Sequence, residues 1–396
     1  VIDHRNGTAL ASAQPMQHEV AVASSLPTTE PICLERSPRV GAAPEPVVFP
    51  IGRKRRAFSV TFTQWQALAR DAPPMLAPEF MLLTAGLLGN AAVVLVGARQ
   101  HGQLAAALPM IRRRRTLHAL RSDHTPRVDL VGDPDCMPAL WRAIRTAGGW
   151  DVLKLRGVPV DSPLARWLPA LASDDRCEVR VRETSRAPWF SVKEIEQRIH
   201  RRFRGDMRRL ERQLGGVELE QVKAFDREAL NDLLRLEAAA WKEVAGTAIA
   251  CDERLVRFYA TIARVFARKG ALSIAFLRAR GKRIATQLAL EDKTTRYLMK
   301  VGYDPAFAHF GPGQLLVRET ALDAERRGLQ RYDLLGKDTA WKMKWTNQVR
   351  AHVEITIYAP TPGGRARHLL REVARPFLAR AWRTLRGSAV APPSGR

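Results

Sequence analysis

An internal repeat constrains this 396-residue chain more than any other feature. Slid by 180 positions, the stretch beginning near residue 90 overlays a later stretch without gaps for roughly seventy residues. Val94-Leu95-Val96 falls on Ile274-Ala275-Phe276, Leu104-Ala105 on Ile284-Ala285, Val152 on Tyr332 and Leu155 on Leu335. Identity is slight, yet strands, turns and a helix keep phase. Such a duplication dictates two copies of one fold, because each copy inherits the same burial pattern. It also decides the apolar run FMLLTAGLLGNAAVVLVGA at 80–98, close to the ~20 residues that span a bilayer. The Leu88-Gly89-Asn90 break and the phase with the later strand make this a short helix followed by a soluble strand.

The second copy is the more legible. Ser191 and Glu194 have capping-box spacing ahead of a helix that Gly215-Gly216 stops. Residues 217–222 alternate as a strand. Asp226 caps a helix running through Leu233, Leu236 and Trp241, and Asp252 starts another with Leu255, Phe258, Tyr259 and Ile262 on one face. Strands are expected at 271–278, 283–291 and 295–301, followed by a helix at 313–327 and a strand at 332–335. A short helical piece at 339–345 and a last strand at 352–358 complete the unit. This order predicts an α/β protein whose mixed sheet occurs twice. The domains are read as a disordered leader at 1–55, a first copy at 56–188, a second at 189–360, and a basic amphipathic helix and tail at 361–396.

The formal charge of +24 shows what the surface attracts: anions, whether coenzyme phosphates, nucleic acid or an anionic membrane. Arginines dominate, as at Arg112 to Arg115, Arg201, Arg202, Arg208 and Arg209. No helix-turn-helix, zinc finger or aromatic-rich RNA motif accompanies them, so nucleic acid is not the expected partner. Leu369, Leu370, Phe377, Leu378 and Trp382 alternate with arginines near the C-terminus, a pattern that fits peripheral attachment to an anionic membrane. Cys33, Cys136, Cys177 and Cys251 are scattered without ligand spacing, so neither disulfides nor a metal is expected, and a cytoplasmic setting fits. No signal peptide is read at the N-terminus.

The best site candidate is Phe310-Gly311-Pro312-Gly313-Gln314-Leu315-Leu316, between a strand and a helix. Helix N-termini present unpaired N–H groups and the positive end of a dipole, and glycines let an anion approach the backbone. The first copy has Val131-Gly132-Asp133-Pro134-Asp135 at the matching positions. Pro134 removes a donor and the carboxylates repel phosphate, so the first copy is expected not to hold a coenzyme but to act as scaffold or shape the acceptor cleft.

The second copy resembles the GNAT-superfamily acetyltransferase domain of the CelD-type, cellulose-biosynthesis-associated group, related to the Fem-type aminoacyl transferases. The matching residues are Trp241-Lys242, Gly246, Asp252, Lys300-Val301-Gly302-Tyr303-Asp304, Pro312-Gly313, and Tyr332-Asp333 followed by Lys342 and Trp345. Phe310-Gly311 stands where that group more often has an aromatic-Ser pair. The resemblance implies an acyltransferase using acetyl-CoA or another acyl-CoA, with an amine or hydroxyl acceptor of small-molecule or glycan type. It implies that the strand carrying Met299 and Val301 splays from the strand at Tyr332 to admit the pantetheine arm. Gly311, Pro312, Gly313, Gln314, Leu315 and Leu316 would hold the pyrophosphate. Asp304 and Asp333 are then candidate bases and Lys342 the candidate acid on the thiolate side. Trp241 and Trp345 are expected in the core or cleft wall, Gln287 as a core amide and His309 as an exposed loop residue. Two alternatives stand beside this reading. One is a Fem-type transferase drawing on charged tRNA, although that group often carries a long helical hairpin where the helix ending at Leu214 is single and short. The other is a non-enzymatic basic module for nucleic acid or anionic lipid.

Overall fold

A computed structural model describes residues 43–51, 55–89, 92–239 and 248–374. Trp241, Lys242, Gly246, most of the leader and the tail beyond residue 374 lie outside the described residues. Ala42–Arg396 forms one compact unit.

The first copy begins with β1 (Glu45–Ile51), α1 (Arg55–Leu68) and α2 (Pro78–Leu87). Strands β2 (Ala92–Gln100), β3 (Gln103–Arg113), β4 (Thr116–Ala119) and the short β5 (Val131–Gly132) follow. Then come α3 (Met137–Thr146), β6 (Val152–Pro159), α4 (Pro163–Asp174) and the long β7 (Glu178–Ser191). The second copy has α5 (Ile195–Arg198), α6 (Arg201–Leu214), β8 (Glu218–Val222), α7 (Arg227–Ala238) and α8 (Glu253–Arg268). It continues with β9 (Leu272–Ala279), β10 (Lys282–Glu291), β11 (Thr295–Tyr303), α9 (Pro312–Arg326), β12 (Arg331–Asp333), β13 (Val349–Tyr358) and α10 (Pro362–His368).

These strands form a single sheet in the order β1-β2-β3-β4-β6-β13-β7-β12-β11-β10-β9-β8, with β5 on β3. The repeat is visible in the pairing. β4 runs parallel to β6 with Thr116 opposite Val152, and β11 runs parallel to β12 with Arg296 opposite Tyr332, the same pair displaced by the repeat length. The fold is thus a tandem duplication of one mixed α/β unit. The strands that join the copies are exchanged: β13, from the end of the chain, pairs with β6 of the first copy, while β7 reaches β12 of the second. Apolar positions of the sheet and its helices fill separate cores, such as Leu108, Leu155 and Ile355 in the first copy and Leu277, Leu316 and Tyr332 in the second.

Several sequence expectations hold locally. Asp226 accepts from the Ala229 N–H and Asp252 from the Arg254 N–H, each capping the helix assigned to it. Gly215, at φ 82, ends α6. The run at 80–98 is α2 and then β2, and among the described residues no helix is long and apolar enough to cross a membrane.

Two local expectations fail. Ser191 pairs with Arg331 in the sheet instead of capping a helix, and Glu194 sits at φ 53 with its N–H bonded to the Glu325 carboxylate. Strand pairing outcompetes the capping box, and the real cap of α6 is His200. Residues 339–345 form turns instead of a helix, held by the Lys342 and Met343 N–H groups on the Thr339 carbonyl.

Candidate functional site

The site begins where β11 and β12 part. They pair only from Thr295 to Tyr297 on β11 and from Arg331 to Asp333 on β12. Beyond that, β11 continues to Tyr303 on β10 alone, with the edge towards β12 released. The β10–β11 register slips between Leu288 and Ala289, so Met299 is an extra residue on β11. A bulge of this kind bends a strand and re-aims its side chains.

Two cavities open along this split. The first, about 340 Å³, is lined by Val301, Gly302 and Tyr303 of β11, by Gly311, Pro312, Gly313 and Gln314 at the start of α9, and by Trp341. The second, about 300 Å³, takes Leu298, Met299 and Lys300 from the same strand and Leu334 to Lys337 and Lys342 from the chain after β12. Trp341 thus faces one cavity and Lys342 the other, and the turn that carries them lies at the junction.

The loop into α9 is built as the sequence suggests, with fewer free donors. Gly311 adopts φ 59, a conformation suited to glycine, and Pro312 supplies the fixed φ favoured at a first helical position. The Gln314 and Leu315 N–H groups turn inward to the Gly311 carbonyl, at 2.9 and 3.2 Å. Pro312 has no N–H, which leaves that of Gly313 without an acceptor among the described residues. A Cβ at Gly313 would meet only Tyr303, at 3.8 Å, so the space before this donor is open. Leu315 and Leu316 are fully buried in the second core, where they anchor the helix instead of lining the cavity. Gln314 clamps the neighbouring turn: its Nε2 donates to the Trp341 carbonyl at 3.4 Å and its Oε1 accepts from Trp345 Nε1 at 2.5 Å.

The matching loop of the first copy is closed. Asp133 Oδ1 takes the Asp135 N–H, occupying the helix N-terminus with the chain's own carboxylate. Gly132 pairs with Ala106 of β3, so close that a Cβ there would lie 2.2 Å from the Ala105 carbonyl oxygen. The chain's own Asp133 carboxylate thus stands at that helix start.

Lys342 is half-buried and donates from Nζ to the Leu335 carbonyl at 2.5 Å. Leu335 and Gly336 lie at φ 50 and 62, and a left-handed leucine costs about 1–2 kcal/mol. Burial pulls the Lys342 ammonium down to about 8, against the opposing field of Asp333 and Asp338. Asp333 is itself buried, which raises its carboxyl above the ordinary value, while its bond from the Leu335 N–H and the charge of Arg350 work the other way. Asp304 caps the turn after β11 by accepting from the Ala306 N–H. Neither aspartate is among the residues that line the two cavities. Trp345 stacks on Phe190 in the core, and Gln287 accepts from Tyr332 and Thr320 hydroxyls in the interior.

Sequence reasoning missed two histidines. His352 of β13 lines the second cavity, and burial among Arg127 and Arg350 pulls it down to about 4, so it is neutral at pH 7 with its Nδ1 unpartnered. His124 of the first copy lines the same cavity, with Nδ1 2.9 Å from the Tyr259 hydroxyl. Nothing local marks either one; the exchange of β13 and the docking of the copies bring them there.

Residues 197–343 match the family model of an acetyltransferase (GNAT) domain. No curated protein matches the chain. Among solved structures, the chain is similar to the C-terminal domain of a protein named as a lysylphosphatidylglycerol synthetase of Agrobacterium fabrum, at 14% identity and TM-score 0.51, over 78% of this chain and 94% of that one. It is similar to FemX at 13% identity and TM-score 0.53, over 79% and 98% of the two chains. A conserved protein of unknown function from Bacteroides thetaiotaomicron shares 11% identity at TM-score 0.50, over 75% and 97%. These likenesses concern the fold.

Proposed function

We propose that the protein is an acyltransferase that moves an acyl group from acyl-coenzyme A to an amine or hydroxyl acceptor. The observation that carries this reading is the split between β11 and β12. It parts β11 from β12 beside an open helix N-terminus, with an amine of lowered proton affinity at the junction of two cavities. The gap between the two strands suits a pantetheine arm, the Gly313 N–H and the α9 dipole suit a pyrophosphate, and the second cavity receives the acceptor. The GNAT match over this same segment supports the assignment.

Transfer requires that the acceptor nitrogen or oxygen form a bond to the thioester carbon while the C–S bond breaks. The acceptor's proton goes to a base, and the thiolate leaves with the electron pair. The Lys342 ammonium, held by the Leu335 carbonyl, supplies the proton that neutralises the thiolate. Neutral His352 lines the acceptor cavity with its Nδ1 buried, so it shapes the wall beside the nucleophile. Acetyl is the first acyl group to test, and the CelD-type resemblance makes a glycan of envelope or polysaccharide assembly the first acceptor.

The test is a thermal-shift panel of acyl-CoA species on the wild-type chain and on Gly313→Asp. The aspartate fits sterically and suits a helix N-terminus, so the fold should survive. Ligand at a hundred times its Kd stabilises by about 2.7 kcal/mol, and this shift is expected in the wild type alone. Equal shifts in both proteins would remove the loop from the site. A wild type that ignores every acyl-CoA would favour the Fem-type reading, which the likeness to FemX in fold keeps in view.

A further inference from the structure

The acceptor cavity is cationic. Its charged lining consists of Arg121, Arg156, Lys300, Lys337 and Lys342 against the single carboxylate of Asp123. Arg121 and Arg156, with Asp123 and His124, also line a third cavity of about 570 Å³, so they stand between the acceptor site and a larger space. Among the described residues neither arginine has a carboxylate within ion-pair distance, in a chain where most cavity-lining acids are matched: Asp252 with Arg254 and Glu354 with Lys154. The Arg121 Nε is buried without a partner. Burial and the nearby Arg156 charge disfavour the Arg121 cation more than the fields of Asp123 and Glu354 favour it.

The backbone is shaped to hold this strained arrangement. Gly157, on β6 beside Arg156, lies at φ 81, and a Cβ there would sit 3.2 Å from the Arg121 Nε and 3.8 Å from its Cζ. The glycine leaves room for the Arg121 side chain against the strand. Two like charges that line the same cavities are stabilised by a multivalent anion.

We infer that the acceptor is a phosphorylated molecule whose phosphate ester sits between Arg121 and Arg156, with its nucleophilic end directed towards Lys342. This rests on the acyltransferase reading and names the acceptor's chemical class. The phosphate could be carried by a soluble sugar phosphate or by a lipid headgroup, since both present the same oxygens. Asp123 then accepts hydroxyls beside the phosphate.

The experiment uses the full chain as wild type, Arg121→Gln, Arg156→Gln, the double variant, and Arg326→Gln, a surface control of equal charge change. Binding of inorganic phosphate, of a sugar 1-phosphate and of its unphosphorylated sugar is measured by calorimetry, with acetyl-CoA as a separate arm. The phosphorylated sugar should bind the wild type and the control, and each single variant should weaken it about tenfold. Acetyl-CoA affinity should stay unchanged. Phosphate-independent sugar binding, or equal affinity in the double variant and the control, would overturn the inference. Loss of acetyl-CoA binding in parallel would also overturn it, by assigning the arginines to the donor. If the wild type binds the sugar phosphate but no acyl-CoA, the phosphate site stands and the acyltransferase reading falls. Cosedimentation with phosphatidylcholine vesicles containing phosphatidic acid separates the sources. Arginine-dependent vesicle binding without sugar-phosphate binding assigns the phosphate to a lipid, and the converse assigns it to a soluble acceptor.

Discussion

Lys342 shows how a single residue acquires chemistry from its surroundings. Its ordinary proton affinity is too high for efficient donation at neutral pH, and burial beneath the cleft brings it to about 8. An acid that must be protonated loses activity as pH rises through that value. The rate of acyl transfer at saturating acyl-CoA is therefore expected to fall on the alkaline side with a midpoint near 8. Lys342→Arg keeps a cation that does not titrate in this range, so the alkaline limb should disappear whatever the residual rate. Lys342→Met should lower kcat by about 10²–10⁴-fold, the range for a general acid, with acyl-CoA affinity nearly unchanged. An alkaline limb preserved in both variants would assign it to another group. The Gly311–Gln314 turn into a helix was legible in sequence because a helix start is local. Lys342 was singled out by the family resemblance and sits on turns where a helix was expected. His352 and His124 were not legible, since their approach depends on contacts between segments far apart in the chain.

At the scale of elements, β11 is packed tightly against α7 just beyond its split from β12. Gly302 meets the end of α7 so closely that a Cβ would lie 2.5 Å from the Leu236 carbonyl oxygen and 2.6 Å from Glu237 Cα. Backbone cannot yield as a flexible side chain does. Gly302→Ala is expected to destabilise the chain by about 1–3 kcal/mol, as overpacking does, and to reduce the acyl-CoA thermal shift because β11 must move to relieve the contact. Denaturant unfolding of wild type and variant measures the first effect. An unchanged midpoint would show that α7 is free to withdraw. The same element scale explains the failed capping box. Ser191 and Glu194 had the right local spacing, yet ladder bonds to Arg331 and the bond to Glu325 outweighed it. Helix caps of Asp226 and Asp252 survived because no strand competed for them.

Across the whole molecule, the exchange of β13 and β7 makes one sheet from two copies. Ile355 belongs to the last strand among the described residues but is fully buried in the core of the first copy, with residues such as Leu108 and Leu155. Ile355→Asp buries a carboxylate without a partner and should cost about 3–5 kcal/mol. Hydrogen exchange should then report loss of protection in β4 and β6 of the first copy at least as early as in β9 and β10 of the second. Loss confined to the second copy would mean that β13 contributes little to the first.

The sequence by itself determined the repeat, the mixed strand-and-helix order, the helix caps at Asp226 and Asp252 and the glycine turn before α9, because each is written in spacings of a few residues or in phase across one offset. Only the tertiary structure decided that Leu315 and Leu316 face the core, that Asp304 and Asp333 stay outside the cavities, and that histidines and arginines of distant segments face Lys342. Those outcomes follow from which strand pairs with which edge, and pairing energies between remote segments leave no periodic mark on the chain.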